Sequence, residues 1–146
     1  MSKVLAIVAG AGPGTGAAIA RRFAKAYPVV LLSRSQSSLD PLVAEINGSG
    51  GHAVGYPTDV TDGSSMQSTM DKVKKEFGDF TIAAAIYNVA AKFIRKPFLE
   101  QSEEDFMSSL EPTIKGAFNF AKQTLPLMKP GTGEHPPTLV FTGKFP

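Results

Sequence analysis

Apolar positions along the chain follow two rhythms that take turns. Short continuous runs occur at residues 4–8, 29–32, 52–56, 80–88 and 138–142. Each is too brief for a helix, and Val4, Leu5, Ile7 and Val8 or Val29 to Leu32 are apolar without strict alternation, as in strands covered on both faces of a parallel sheet. Between the runs apolar residues return at helical spacing. Ala17, Ile19, Ala20, Phe23 and Ala24 share one side, while Arg21, Arg22 and Lys25 fall on the other. Further helices are predicted over 39–46, over 64–77 and from Ser102 to about Met128, the last interrupted by Pro112. Strand and helix in steady succession define an α/β chain built on a five-stranded parallel sheet.

The residues between these segments agree with that reading. Pro28 stops the first helix, and the unit from Val4 to Ser33 has the length of a strand-helix-strand motif. Ser37 and Ser38 are the expected caps of the second helix, with Pro41 tolerable in its first turn and Asn47 to Gly51 ending it. Thr61 and Asp62 cap the third, and Gly78 closes it. Residues 92–97 read as a loop, after which Ser102 with Glu103, Glu104 and Asp105 opens the long helix with acid in its first turn. Pro126, Pro130, Gly131 and Gly133 make the loop before the fifth strand.

The first strand runs directly into four alternate glycines, Gly10, Gly12, Gly14 and Gly16, and then into a helix that starts near Thr15. Without a Cβ the backbone can turn through positive φ, and a phosphate can approach main-chain N–H groups. The helix points its free amides and the positive end of its dipole into this turn, which makes a pyrophosphate site without any basic side chain. A glycine-rich loop alone reads equally as a flexible turn; the strand before and the helix after supply the context of a dinucleotide site. Gly12, Gly14 and Ala17 fit the G-x-G-x-x-A of a generic Rossmann loop. Gly10, Gly14 and Gly16 fit the wider G-x-x-x-G-x-G, and in this the chain resembles the short-chain dehydrogenase/reductase family. The expected fold is a Rossmann-type doubly wound parallel sheet, incomplete, of order 3-2-1-4-5, in a single truncated dinucleotide-binding domain over residues 1–146.

Just past the second strand, an Asp or Glu about 20 residues beyond the glycines would bind the ribose 2′-hydroxyl and mark NAD. Ser33, Arg34 and Ser35 stand there instead, and the first carboxylate afterwards is Asp40. A guanidinium beside hydroxyls suits a 2′-phosphate, so NADP(H) is the expected cofactor, with Arg34 as an ordinary surface residue the other reading. Asp59 falls at the carboxyl end of the third strand, where ligands bind in open α/β sheets. The resemblance implies that Asp59 and Val60 contact the adenine, the carboxylate accepting from the exocyclic amine; a second capping residue is the alternative. The fourth strand ends in Asn88-Val89-Ala90-Ala91 where the family carries Asn-Asn-Ala-Gly, matching at Asn88 and Ala90 and departing at Val89 and Ala91. The resemblance implies that Asn88 steadies neighbouring strands and that the backbone at Ala90 passes the cofactor ribose. Thr113 replaces an Asn that in the family helps anchor a proton-relay water, and Gly116 is expected to let the long helix pack closely.

Composition acts mainly by exclusion. With 146 residues, 42% hydrophobic, the chain can bury one ordinary core. The net charge is +2, with cations scattered among carboxylates, which describes solvated faces and not a nucleic-acid surface. The absence of cysteine removes disulfides, thiolate metal sites and thiol nucleophiles together. No run approaches the roughly 18 to 20 apolar residues of a membrane span. Lys3 followed by VLAIVAGAG has features of a signal peptide, but cleavage there would remove the strand that the glycine loop needs, so a soluble, cytoplasmic protein is expected. His52 and His135 come with no convincing nucleophile or metal-ligand spacing, and no metal is expected.

For the reaction itself, the resemblance implies a Ser after the fifth strand and a Tyr-x-x-x-Lys on the next helix. Lys144, Phe145 and Pro146 stand at about the Ser position, and Leu31, Val60 and Ala91 lie four residues after Tyr27, Tyr56 and Tyr87. No catalytic residue is therefore assigned. The expected function is the NADP(H)-binding portion of a short-chain dehydrogenase/reductase whose complete form moves hydride between NADPH and a carbonyl or alcohol. The alternatives are a non-catalytic dinucleotide-binding or regulatory module and a methyltransferase-like nucleotide domain, the latter disfavoured by Arg34 where an acid would hold ribose hydroxyls. Right-handed crossovers put two helices on each face and leave one side of strands 4 and 5 bare. With Ile82, Ala84, Ile86, Leu139, Val140 and Phe141 apolar, an exposed patch on that sheet face is expected, and with it association as a homo- or hetero-oligomer.

Overall fold

The computed structural model describes residues 3–131 and 135–143; Gly133 and the Lys144-Phe145-Pro146 end lie outside the described residues. Five parallel strands, β1 (Lys3–Ala9), β2 (Val29–Ser33), β3 (Ala53–Pro57), β4 (Phe80–Tyr87) and β5 (Thr138–Phe141), form one sheet in the order β3-β2-β1-β4-β5. This is the Rossmann-type doubly wound arrangement, with the strand order expected from the sequence. Helices α1 (Thr15–Phe23) and α2 (Gln36–Gly48) share a core with Ala6, Val8, Val29 and Leu31 on one face of the sheet. On the other, Leu5, Ile7, Val30 and Leu32 meet Met66, Met70 and Val73 of α3 (Gly63–Phe77) and Phe120 of α5 (Gly116–Thr124). Leu5 to Ala9 are wholly buried, which is what makes β1 the centre of the fold. Each Leu, Ile or Val buried there contributes about 1.5–3 kcal/mol. The buried residues of α1 are Gly16, Ala17 and Ala20, all small, so this helix lies close to the strand that feeds it.

Two local features depart from the pattern reading, and a third, the interruption at Pro112, takes a specific form. Helix α2 begins at Gln36 with Ser35 as its extended N-cap residue, so Ser37 and Ser38 lie within the first turn and do not cap it. Pro41 is consequently in the second turn, where it removes one intrahelical hydrogen bond. His52 precedes β3; its carbonyl accepts from the N–H of Val29, and its ring packs at 5.4 Å from that of Phe77. The long helix is three pieces: α4 (Glu103–Leu110), a π-helical turn over Glu111–Lys115, and α5. Pro112 explains the break, because it has no N–H to return to the carbonyl of Ser108. Ser102 and Asp105 cap α4 reciprocally, each side chain accepting from the other's backbone N–H.

The expected bare sheet face is a correction. Ile82, Ala84 and Ile86 are all buried. A bulge in β4 pairs Leu5 with Ile82 but Ala6 with Ala84, so Ile82 faces the α3 side, whereas Ala84 and Ile86 join the core beneath α1. Among the described residues, large hydrophobic side chains exposed on the sheet are confined to β5, at Val140 and Phe141. The larger apolar surface belongs to the broken helix, where Phe106, Leu110, Ile114 and Phe118 recur every fourth residue, the last two 60% and 62% exposed. In a regular helix such a stripe would drift by about 40° per step. The wider turn at 111–115 counters that drift.

Candidate dinucleotide site

The carboxyl ends of β1, β2, β3 and β4 open into one cleft of about 730 Å³, closed on its far side by α4 and the π-helical turn. This is the place where open α/β sheets bind ligands. Of the residues singled out from sequence, Gly10, Gly12, Ser33, Arg34, Asp59, Val60, Asn88 and Ala90 line it. Gly14, Thr15 and Gly16 sit just behind, at the start of α1, and Thr113 is not part of the wall.

The glycines do different jobs. Any of the four could turn through positive φ, and Gly10 is the one that does, at 78°. A Cβ on Gly10 would lie 2.4 Å from the Asn88 carbonyl oxygen, and one on Gly16 would lie 2.0 Å from the Gly10 carbonyl oxygen. Strand β4, the loop and α1 therefore touch backbone to backbone. Gly12 and Gly14 have nothing within 4 Å of where a Cβ would be. Their bareness leaves open space in front of the helix. Gly14 is the N-cap residue and supplies no side-chain hydrogen bond, so no side chain competes for the amides of the first turn. The loop itself is anchored, since Gly10 and Ala11 both donate to the Leu32 carbonyl, at 2.9 and 3.1 Å.

At the end of β2, Arg34 is exposed and makes no ion pair among the described residues, in contrast to Arg21, which forks onto Glu45 at 2.6 and 2.8 Å. Beside it the Ser33 hydroxyl meets that of Ser38 and donates to the Ser35 carbonyl at 3.0 Å. At the end of β3, Asp59 accepts from the Thr61 N–H at 3.0 Å and hydroxyl at 2.7 Å, closing a small turn. The capping of α3 falls to Asp62, which accepts from Ser64 N–H at 2.9 Å. Thr61 is not that cap; its hydroxyl is spent on Asp59.

Two residues at the end of β4 tie the walls together. Asn88 donates through Nδ2 to the Gly10 carbonyl at 3.2 Å and accepts at Oδ1 from the Thr142 hydroxyl at 2.8 Å. Tyr87, only 4% exposed, donates its hydroxyl to the Pro112 carbonyl. Burial, with a smaller contribution from the Asp59 charge, pushes its phenol up to about 12. Thr113 donates its hydroxyl to the Ser109 carbonyl at 2.7 Å and does not line the cleft. The sequence reading missed Tyr87, considered only as a catalytic tyrosine, and missed Ser108, Glu111 and Pro112 as cleft wall. The one available signal was Pro112, which marks the helix break that brings them there.

Among the described residues no group of three or more His, Asp or Glu is placed to hold a metal, and no helix is long and apolar enough to cross a membrane. The short chain dehydrogenase family matches residues 4–142, and the chain belongs to that family. It carries the NAD(P)-binding Rossmann fold of these oxidoreductases. Oxidoreductase UcpA of Salmonella typhimurium is 32% identical over 84% of this chain and 46% of that protein. D-threitol dehydrogenase of Mycolicibacterium smegmatis is 33% identical over 78% of this chain and 43% of that protein. The chain thus spans about half the length of the curated relatives it matches. An alcohol dehydrogenase from the archaeon Thermococcus sibiricus, solved with 5-hydroxy-NADP, superposes with a TM-score of 0.76 at 29% identity, over 88% of this chain and 54% of that one.

Proposed function

We propose that the cleft binds NADP(H), and that this chain is the cofactor-binding portion of an oxidoreductase acting between NADPH and a carbonyl or alcohol. The observation that carries the choice of cofactor is Arg34, an unpaired guanidinium at the cleft's edge beside Ser33, with no carboxylate following β2 before Asp40. A 2′-phosphate there gains charge-assisted hydrogen bonds that a 2′-hydroxyl cannot match. The relative solved with an NADP derivative supports the same reading.

In this account the diphosphate lies over Gly12 and Gly14, against the amides of Thr15 and Gly16, with Gly10 shaping the turn. The adenine lies beside Asp59 and Val60, and the second ribose passes Ala90 near Asn88. When bound, the cofactor supplies or accepts the hydride; the residues of this chain bind it and orient it. A binding module without turnover is the second reading, favoured by Thr113 standing where the family carries an Asn that helps anchor a proton-relay water. Loss of NADPH absorbance with a panel of aldehydes and ketones would exclude that module.

We also assign self-association to the outer face of α4 and α5. The stripe runs from acidic Glu103 and Glu104 to basic Lys115 and Lys122, so an antiparallel second copy sets acid opposite base along it. The cofactor assignment is tested with Arg34→Asp: NADPH affinity should fall by tenfold or more relative to NADH. Equal losses for both would remove it.

A further inference from the structure

We infer that Tyr87 is a positioning residue for the nucleotide: through its hydroxyl it holds the π-helical turn, and so the helix wall of the cleft, against the Asp59-Val60 side. The inference rests on the nucleotide-binding reading above. Its physical basis begins with Pro112. Lacking an N–H, Pro112 leaves the helix to widen, and the N–H of Gly116 bonds the Glu111 carbonyl five residues back. That leaves the Pro112 carbonyl without its helical partner, and the turn's own Thr113 hydroxyl is bonded to Ser109 instead. Tyr87 supplies a tie by donating to the Pro112 carbonyl from the neighbouring strand.

The surroundings leave the tie little freedom. The Tyr87 ring is buried, packed 5.4 Å from that of Phe120 and 6.0 Å from that of Phe141, which holds the phenol in place. Gly116 makes room for the hydroxyl: a Cβ there would lie 2.2 Å from Tyr87 Oη and 3.0 Å from Val60 Cγ2. The turn, the hydroxyl and Val60 therefore meet at one point. Ser108, Glu111 and Pro112 are the residues through which the helix lines the cleft, and Asp59, Val60 and Thr61 line it from the end of β3. The adjoining Asn88 fixes the glycine loop. One strand end thus sets two walls, Tyr87 through the Pro112 carbonyl and Asn88 through the Gly10 carbonyl. The high phenol pKa keeps the hydroxyl a donor throughout the physiological range.

Calorimetric titration of the full chain with NADPH and with 2′,5′-ADP tests this, using Tyr87→Phe and, as a control destabilised at a distance, Ile46→Val in the α2 core. Tyr87→Phe removes only the hydroxyl and should weaken both ligands about tenfold, the worth of one buried hydrogen bond. Ile46→Val should lower the melting temperature comparably while both affinities stay within about twofold of wild type. Wild-type affinities in Tyr87→Phe, or an equal loss in Ile46→Val, would overturn the positioning role and leave the nucleotide reading intact. If the folded wild-type chain takes up neither ligand, the nucleotide reading itself fails and this inference with it. Should Tyr87→Phe not fold, Pro112→Ala restores the missing N–H, straightens the wall and should show the same tenfold loss; wild-type affinity there would likewise overturn the role.

Discussion

The backbone contact between Gly16 and Gly10 makes a quantitative prediction. In Gly16→Ala the new Cβ starts 2.0 Å from the Gly10 carbonyl oxygen and must move out to at least the 3.0 Å below which such contacts essentially never fall. The loop cannot yield. Gly10 already abuts the Asn88 carbonyl, and its N–H and that of Ala11 are bonded to Leu32. Helix α1 must retreat instead, against a sheet on which Ala17 and Ala20 are fully packed. Overpacking of this kind costs about 1–3 kcal/mol, and a clash of backbone with backbone belongs at the upper end. The preference of a helix for Ala over Gly returns up to about 1 kcal/mol. A net loss of about 2 kcal/mol should lower the urea midpoint, followed by far-UV circular dichroism, by about 1 M. Gly12→Ala is the paired experiment, because nothing lies within 4 Å of its Cβ position. Its stability should stay within about 0.5 kcal/mol of wild type while NADPH affinity collapses, the methyl standing where the diphosphate would lie. A Gly16→Ala chain as stable as wild type would refute the packing argument, and undiminished NADPH binding by Gly12→Ala would refute the placement of the diphosphate.

Other expected outcomes follow from single side chains. Asp62→Ala removes the side-chain cap of α3 and should cost about 1 kcal/mol in urea unfolding, with Asp59→Ala costing less because Asp59 caps no helix. Tyr87 has a folded pKa of about 12 against 10.0 for the free side chain, so its contribution is complete below pH 10 and is lost as pH rises towards 12. Thermal melts between those values should fall more steeply for wild type than for Tyr87→Phe, and identical slopes would contradict the burial of the phenol. Sedimentation equilibrium should find self-association that Ile114→Lys with Phe118→Lys abolishes; a wild-type monomer at tens of micromolar would sink the helix-face assignment.

What could be read without the structure was local. Gly10 and Gly16 are glycines because two backbones pass through the space a Cβ would fill, and that demand shows as a motif. Arg34 and Asp59 follow from strand ends, so they were legible once the strands were. The rest depends on packing between distant segments. A single extra residue at Ala83 reverses which of Ile82, Ala84 and Ile86 face which helix, and an apolar run contains no mark of a bulge. Ser37 and Ser38 are good caps by chemistry, but the backbone turn after β2 starts the helix at Gln36, with Ser35 at the N-cap position and no side-chain capping hydrogen bond. The wall made by Ser108, Glu111 and Pro112 lies far along the chain from the glycine loop it faces, and Tyr87 acts only because a carbonyl freed in that helix comes to meet it.

The central claim is that an uncapped helix start behind bare glycines takes a dinucleotide diphosphate, with Arg34 selecting the phosphorylated form. Its most direct test is titration calorimetry of the folded chain with NADPH and NADH side by side in one buffer. Saturable one-site binding of NADPH, at least tenfold tighter than NADH, is the predicted result; a folded chain that binds neither would contradict it.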